Sequence, residues 1–326
     1  MTRDEIVAEA EAALLAETWP AHPADDPLVP YERFTLYLGA AGIIWALRRL
    51  GSSLDLDALA ADALRGYRAT PNEEEPASLL AGETGLLVLT RADDRRLAEL
   101  VAANERNEAW EVLWGSPGTI LAAKATGLEW QWAAEILVAE MDDDGLWSQT
   151  LVGGEPKRML GAVHGFAGNV HALRGHLSDD ELRALVERVL REHAVWDRDA
   201  VNWPPVVGTE ASRVQWCHGA PGTITTLGDL MPEDLLLAAA ETTWRTGPLE
   251  KGPGLCHGTA GNGFALLRTY ELTGDEVWLE RARSFADTAL GQARHHVSLL
   301  TGDIGAALLA DACDRRDARF PIMDVL

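Results

Sequence analysis

The sequence predicts an all-α fold, an α/α toroid in which seven helical hairpins set an inner ring of helices within an outer one. Three observations predict it. A glycine pair of the form GxxG recurs seven times, an apolar run follows each pair, and an amphipathic stretch separates one pair from the next. Composition alone would give roughly three such pairs in a chain of this length, so the recurrence is architectural.

The pairs open "GAAGIIWAL" (Gly39, Gly42), "GETGLLVL" (Gly82, Gly85), "GSPGTILAA" (Gly115, Gly118), "GFAGNVHAL" (Gly165, Gly168), "GAPGTITTL" (Gly219, Gly222), "GTAGNGFALL" (Gly258, Gly261) and "GDIGAALLA" (Gly302, Gly305). Their first glycines are spaced 43, 33, 50, 54, 39 and 44 residues apart. The run after each pair is apolar on nearly all sides, as a helix enclosed by neighbours must be. The glycines allow a helix N-terminus to approach another backbone closely. Between the pairs, "DLDALAADALRGYRA", "DDELRALVERVLREHAVW" and "EVWLERARSFADTALGQAR" carry apolar residues near helical period with acids in the first turn, the pattern of half-solvated outer helices. No β-pattern stands out between them. An open helical solenoid would use the same repeats without closing.

"HPADDPLVPYE" and "RATPNEEEPAS" read as short loops, not linkers, so one domain over residues 1–326 is expected. The N-terminal "MTRDEIVAEAEAALLAETW" carries acids where a signal peptide needs a basic start and an apolar core, and no apolar run reaches membrane-spanning length. A soluble cytoplasmic protein is expected. The formal net charge of -23 repels nucleic-acid backbones and anionic membranes and excludes both as general partners. With 25 arginines against three lysines, the balance fits either a salt-rich cytoplasm or a GC-rich genome. Three cysteines are too few for a disulfide framework and leave thiols for metal or chemistry.

Two of those cysteines, Cys217 in "VQWCHGAPG" and Cys256 in "GPGLCHGTAG", stand directly before a histidine and a glycine pair. They occupy equivalent positions on adjacent hairpins. If the inner-helix N-termini converge on one rim, the two sulfurs face each other, with His218, His257 and the His164 of "GAVHGFAG" on the same rim. Thiolate and imidazole are the ligands zinc prefers. A Cys2His2 set would make a closed structural site, and Cys2His with an open position a catalytic one; spacing does not choose between them.

"RVQWCHGAPG", "KGPGLCHGTAGNGFALL", "GAVHGFAG" and the terminal "RFPIMD" resemble the lanthionine synthetase C-like family, which comprises the lantibiotic cyclases and LanC-like relatives that act on glutathione. The resemblance covers all seven glycine pairs. It implies a toroid of seven inner and seven outer helices, and zinc held by Cys217, Cys256 and His257, with the fourth position left to water or a substrate thiol. His218 would then lie outside the ligand set. The cyclases usually carry tyrosine after the first cysteine, so "WCHG" is nearer the LanC-like branch.

The implied chemistry is addition of a thiol, from glutathione or a peptide cysteine, to dehydroalanine or dehydrobutyrine, forming a thioether. Such a reaction needs a thiolate, a cation for the developing enolate and an acid for its α-carbon. Arg213 holds the place of the family's active-site arginine, and His164 that of the histidine in its HGxxG motif. Glu111 of "EVLWGSPG" stands where cyclases carry aspartate and many LanC-like proteins glutamate. It would orient a histidine or relay a proton, or else serve only as a helix N-terminal acid. Lys251 matches a lysine that contacts the glutathione carboxylate, although a surface lysine would look the same. Cys313 reads as core filling, and His295 and His296 take no role.

Two other functions are compatible with the sequence. A non-catalytic zinc-bearing module would bind glutathione or a protein. A glycan-processing α/α barrel would need paired carboxylates, for which only Asp142, Asp143 and Asp144 of "MDDDGLW" offer themselves. No dehydratase-like region is evident, so a separate dehydratase partner is expected if the substrate is a dehydrated peptide.

Overall fold

A computed structural model describes residues 1–18, 29–151 and 154–326. Residues 22–28 of the "HPADDPLVPYE" loop lie outside the described residues.

Among the described residues there are fourteen α-helices, alternating between two rings. The outer ones are α1 (Arg3–Leu15), α3 (Leu56–Ala69), α5 (Asp94–Ala103), α7 (Gln131–Ala139), α9 (Asp179–Glu192), α11 (Glu233–Thr246) and α13 (Glu276–Gln292). The inner ones are α2 (Ala40–Leu50), α4 (Glu83–Thr90), α6 (Ser116–Thr126), α8 (Phe166–Ala172), α10 (Ala220–Leu227), α12 (Thr259–Thr273) and α14 (Ile304–Arg315). Each inner helix packs on the next, and α14 returns to α2, so the ring is closed and the solenoid alternative is set aside.

The two rings begin their helices differently. Thr2, Asp55, Asp93, Ser178 and Asp275 cap outer helices with a side-chain oxygen, which satisfies amide donors that water would otherwise reach. Six inner helices are instead capped by the first glycine of a pair, with no side-chain cap. The seventh starts at Asp303, one residue later. The second glycine explains the motif. At Gly222 a Cβ would overlap the carbonyl of Trp216, and at Gly261 that of Leu255, because each rim turn folds back onto its own helix.

Burial follows the ring. Every residue of α8 and α10 is buried, whereas α3 buries one stripe, Leu56, Ala60, Ala63, Leu64 and Tyr67. The rim turns are joined by backbone hydrogen bonds between hairpins: Cys217 N–H to Cys256 O (3.0 Å), Cys256 N–H to Leu300 O (2.7 Å) and Tyr37 N–H to Leu80 O (2.9 Å). The C-terminal "RFPIMD" segment packs within the ring, where Phe320 stacks on Trp216 at 4.3 Å and 9° and meets Phe264 edge-on.

One element differs from expectation. The outer helix read through Trp196 stops at Glu192, and an antiparallel hairpin follows, β1 (Val195–Asp197) with β2 (Ala200–Asn202). Strands of three residues are too short to show an alternation in sequence. They occupy the longest interval between glycine pairs.

Candidate functional site

The rim at the N-terminal end of the inner helices gathers the chemistry because each hairpin delivers the same register position to it. Counting back from the first glycine, the preceding residue is Trp114, His164, His218 and His257 in hairpins three to six. Three of these rings form a column: Trp114 and His164 lie 5.8 Å apart between centroids, and His164 and His218 stack at 5.5 Å and 23°. The residue two before the glycine is Tyr37 in hairpin one, Cys217 in five and Cys256 in six.

Cys217 and Cys256 are buried, 5% and 4% exposed, and their thiols hydrogen-bond to each other. That bond is the main cause that draws the Cys217 thiol down to about 7, against burial and with help from the Gln215 amide and the charges of His164 and Lys251. Each sulfur also receives a donor from elsewhere. Gln215 Nε2 donates to Cys217 Sγ at 2.9 Å, and Tyr37 Oη donates to Cys256 Sγ at 3.3 Å.

His164 Nδ1 lies 2.7 Å from Glu111 Oε2. The Glu111 carboxyl is fully buried, and its other oxygen accepts the Trp114 amide at 2.5 Å. Burial opposes a charged imidazole, but the carboxylate's charge and hydrogen bond outweigh it, so His164 titrates above the ordinary histidine range. His218 goes the other way, down to about 3, first through burial and then through the positive charge of His164, Arg213 and Lys251. It is therefore neutral at physiological pH. Its Nδ1 is buried without a hydrogen-bond partner among the described residues.

The remaining candidates lie on or beside the same rim turns. Arg213 is exposed, with its backbone carbonyl held by Asn202 Nδ2 at 3.0 Å, and its charge reaches His164 and His218. Lys251 is exposed and donates to Gln215 Oε1 at 3.2 Å. His257 is half-buried beside Cys256. Away from the rim, Cys313 is buried in α14 with its thiol pushed up to about 12, chiefly by burial. His295 pairs with Glu9 at 2.7 Å at the surface. Asp142 and Asp144 are both tied to Arg158 and Asp143 is exposed, an arrangement of surface ion pairs that leaves no carboxylate dyad for glycan chemistry.

Sequence reasoning passed over Tyr37 and Gln215. Tyr37 carried a usable signal, since it holds the cysteines' register position in the first hairpin. Gln215 shares a position with Glu111, four before the first glycine.

The donor chemistry of the sulfur pair fits a thiophilic divalent ion: two buried cysteines turned to one another, each with a hydrogen-bond donor on its sulfur. A third donor is not drawn in with them. Among the described residues no group of three His, Cys, Asp or Glu side chains is gathered closely enough to hold a metal. Among the same residues no helix is long and apolar enough to cross a membrane.

Comparison with known proteins accords with this geometry. The solved structure of nisin cyclase superposes with a TM-score of 0.65 over 97% of this chain and 96% of that chain at 15% identity, a likeness of fold. Glutathione S-transferase LANCL1 of Danio rerio is 33% identical over 185 residues, 51% of this chain and 46% of the relative. LanC-like protein GCL1 of Arabidopsis thaliana is 33% identical over 188 residues, 50% of this chain and 43% of the relative. The match thus spans less than half the length of either curated relative. The family described as lanthionine synthetase C-like protein matches residues 29–325. The chain, with its closed double ring of helices and its paired cysteine turns, belongs to the lanthionine synthetase C-like family.

Proposed function

We propose that the protein is a zinc-dependent enzyme, a single LanC-like toroid over residues 1–326, that adds a thiol to dehydroalanine or dehydrobutyrine and forms a thioether. The observation that carries this is the pair of buried, mutually hydrogen-bonded sulfurs of Cys217 and Cys256 on the same rim as a histidine paired with a buried carboxylate. Cys217, Cys256 and His257 would hold the metal, with His218 outside the set. Bound zinc supplies a substrate thiolate at neutral pH by lowering the thiol pKa.

The chain's own residues account for the rest. The thiolate sulfur bonds to the alkene β-carbon, and the electron pair of the double bond moves toward the carbonyl as an enolate. Arg213, a guanidinium whose charge reaches His164, would stabilise that charge. Glu111 fixes Nδ1–H of His164, so the protonated ring presents Nε2–H, and that proton passes to the α-carbon. The Glu111 carboxylate raises the His164 pKa and so favours the protonated ring that this step needs. Trp114 and His218 shield its ring from water on either side.

The name glutathione S-transferase on one relative and the exposed Lys251 beside the cysteine turns favour a small thiol with a carboxylate, such as glutathione, over a peptide cysteine. A dehydrated peptide would require a separate dehydratase. A cytoplasmic location fits a thiol-using enzyme. Intact-mass analysis of a dehydroalanine peptide incubated with glutathione and the protein tests the proposal. The expected adduct appears with zinc, disappears after chelation and returns on zinc addition. Calorimetric glutathione binding with no adduct on any dehydroamino-acid peptide would instead identify a binding module.

A further inference from the structure

The Gln215 side chain lies between two groups of opposite hydrogen-bonding character. Its Oε1 is 3.2 Å from Lys251 Nζ, an ammonium that only donates. Its Nε2 is 2.9 Å from Cys217 Sγ, a sulfur that only accepts once it is a metal-binding thiolate. A carboxamide has two orientations related by a half-turn, which exchange its oxygen and nitrogen. Only one satisfies both neighbours here. The other sets the oxygen against sulfur and the amino group against an ammonium.

The connection runs from surface to interior. Lys251 is exposed, Gln215 is 8% exposed and Cys217 is 5% exposed. The sixth hairpin lacks this device, because its equivalent residue, two before Cys256, is Gly254. There the sulfur's donor is Tyr37, from the first hairpin.

The geometry points to Gln215 as a positioning residue for Cys217, held by Lys251 in the one orientation that donates to sulfur. Lys251 thus reaches Cys217 through the amide as well as by its charge. A ligand carboxylate bound by the Lys251 ammonium would share its donors with Gln215 Oε1, so its binding is felt at Cys217 through the amide, a link that Cys256 lacks. The inference rests on the proposed zinc site at Cys217 and Cys256.

Cobalt(II) is the probe, since its thiolate charge-transfer absorption reports sulfur–metal bonding directly. Gln215→Met removes both polar atoms, and Gln215→Glu keeps the shape while replacing the donor with an acceptor. Both should shift the charge-transfer band and weaken cobalt affinity on the order of tenfold, the usual cost of losing a partner behind a ligand. Lys251→Met should shift the band in the same direction by less, and Lys251→Arg should preserve it. The double variant Q215M/K251M should lose less than the two single losses combined, because part of what Lys251 does passes through the amide. Unchanged band and affinity in both Gln215 variants, with wild-type cobalt uptake, overturn the inference alone. So does strict additivity in the double variant. A wild-type protein that takes up no cobalt and no zinc overturns this inference together with the zinc site beneath it.

Discussion

The fifth and sixth hairpins present the same Cys-His-Gly turn in different surroundings. At Cys217 the preceding residue is Trp216, stacked on Phe320 of the C-terminal segment; at Cys256 it is Leu255. Gly219 caps its helix at a φ of +96°, and Gly258 caps the next in extended geometry at -119°. His218 is buried against His164, while His257 is half-buried. The difference teaches that a repeated motif fixes where a side chain starts, and that the neighbouring hairpins decide what it becomes.

The comparison can be broken most forcefully at the sulfurs, where the two hairpins should be equivalent. Cys217→Ala and Cys256→Ala are each expected to lower bound zinc from about one per chain to a trace and to abolish thiol addition. Metal analysis and intact-mass assay read both effects, and a variant that keeps its zinc would count against a shared site. Next in size is His164→Ala, expected to retain zinc while the addition rate falls by roughly 10²- to 10⁴-fold, the usual contribution of a positioned proton donor.

The histidines test the asymmetry itself. His257→Ala should weaken zinc binding by on the order of 100-fold in chelator competition, whereas His218→Ala should change it several-fold at most. Equal losses would make the two turns alike after all. Glu111→Gln gives a subtler result. The carboxylate raises the His164 pKa, so activity requiring the imidazolium is present at low pH and declines as pH rises through that value. Removing the charge lowers the pKa, and the alkaline limb of the pH–rate profile should move to lower pH. Stability follows the same sign. The contribution of a His164 pKa raised by folding is complete below the unfolded value and is lost as pH climbs through the folded one.

The smallest effect is expected at the third cysteine. Cys313→Ala removes a buried thiol from α14 and should cost about 1–2 kcal/mol in denaturant titration. Zinc content and turnover should stay unchanged, which sets the two rim cysteines apart from one that only fills space.

The ring was legible in sequence because its cause is local. Each GxxG marks a turn folding back on its own helix, and an enclosed helix must be apolar all round, so both signals lie within a dozen residues. The partnership of Cys217 with Cys256 was legible for a related reason, since equivalent positions on adjacent hairpins meet at the rim. Glu111 was half legible: its type and register were visible, but its seat against His164, 53 residues on, depends on the neighbouring hairpin. Tyr37 and Gln215 were missed because each looks ordinary in its own segment and gains a role only from a sulfur delivered elsewhere. The β1–β2 hairpin was missed because three-residue strands leave no period.

The contact between Tyr37 and Cys256 spans 219 residues of chain, while the two cysteines belong to successive hairpins. In kinetic terms these are events of different order. The sulfur pair closes a short loop within the second half of the chain, whereas the Tyr37 hydroxyl reaches its sulfur only when the first hairpin meets the sixth, the costlier closure. The shorter closure is the cheaper one in chain entropy, and the bond from Tyr37 to sulfur ties the start of the chain to a turn in its second half.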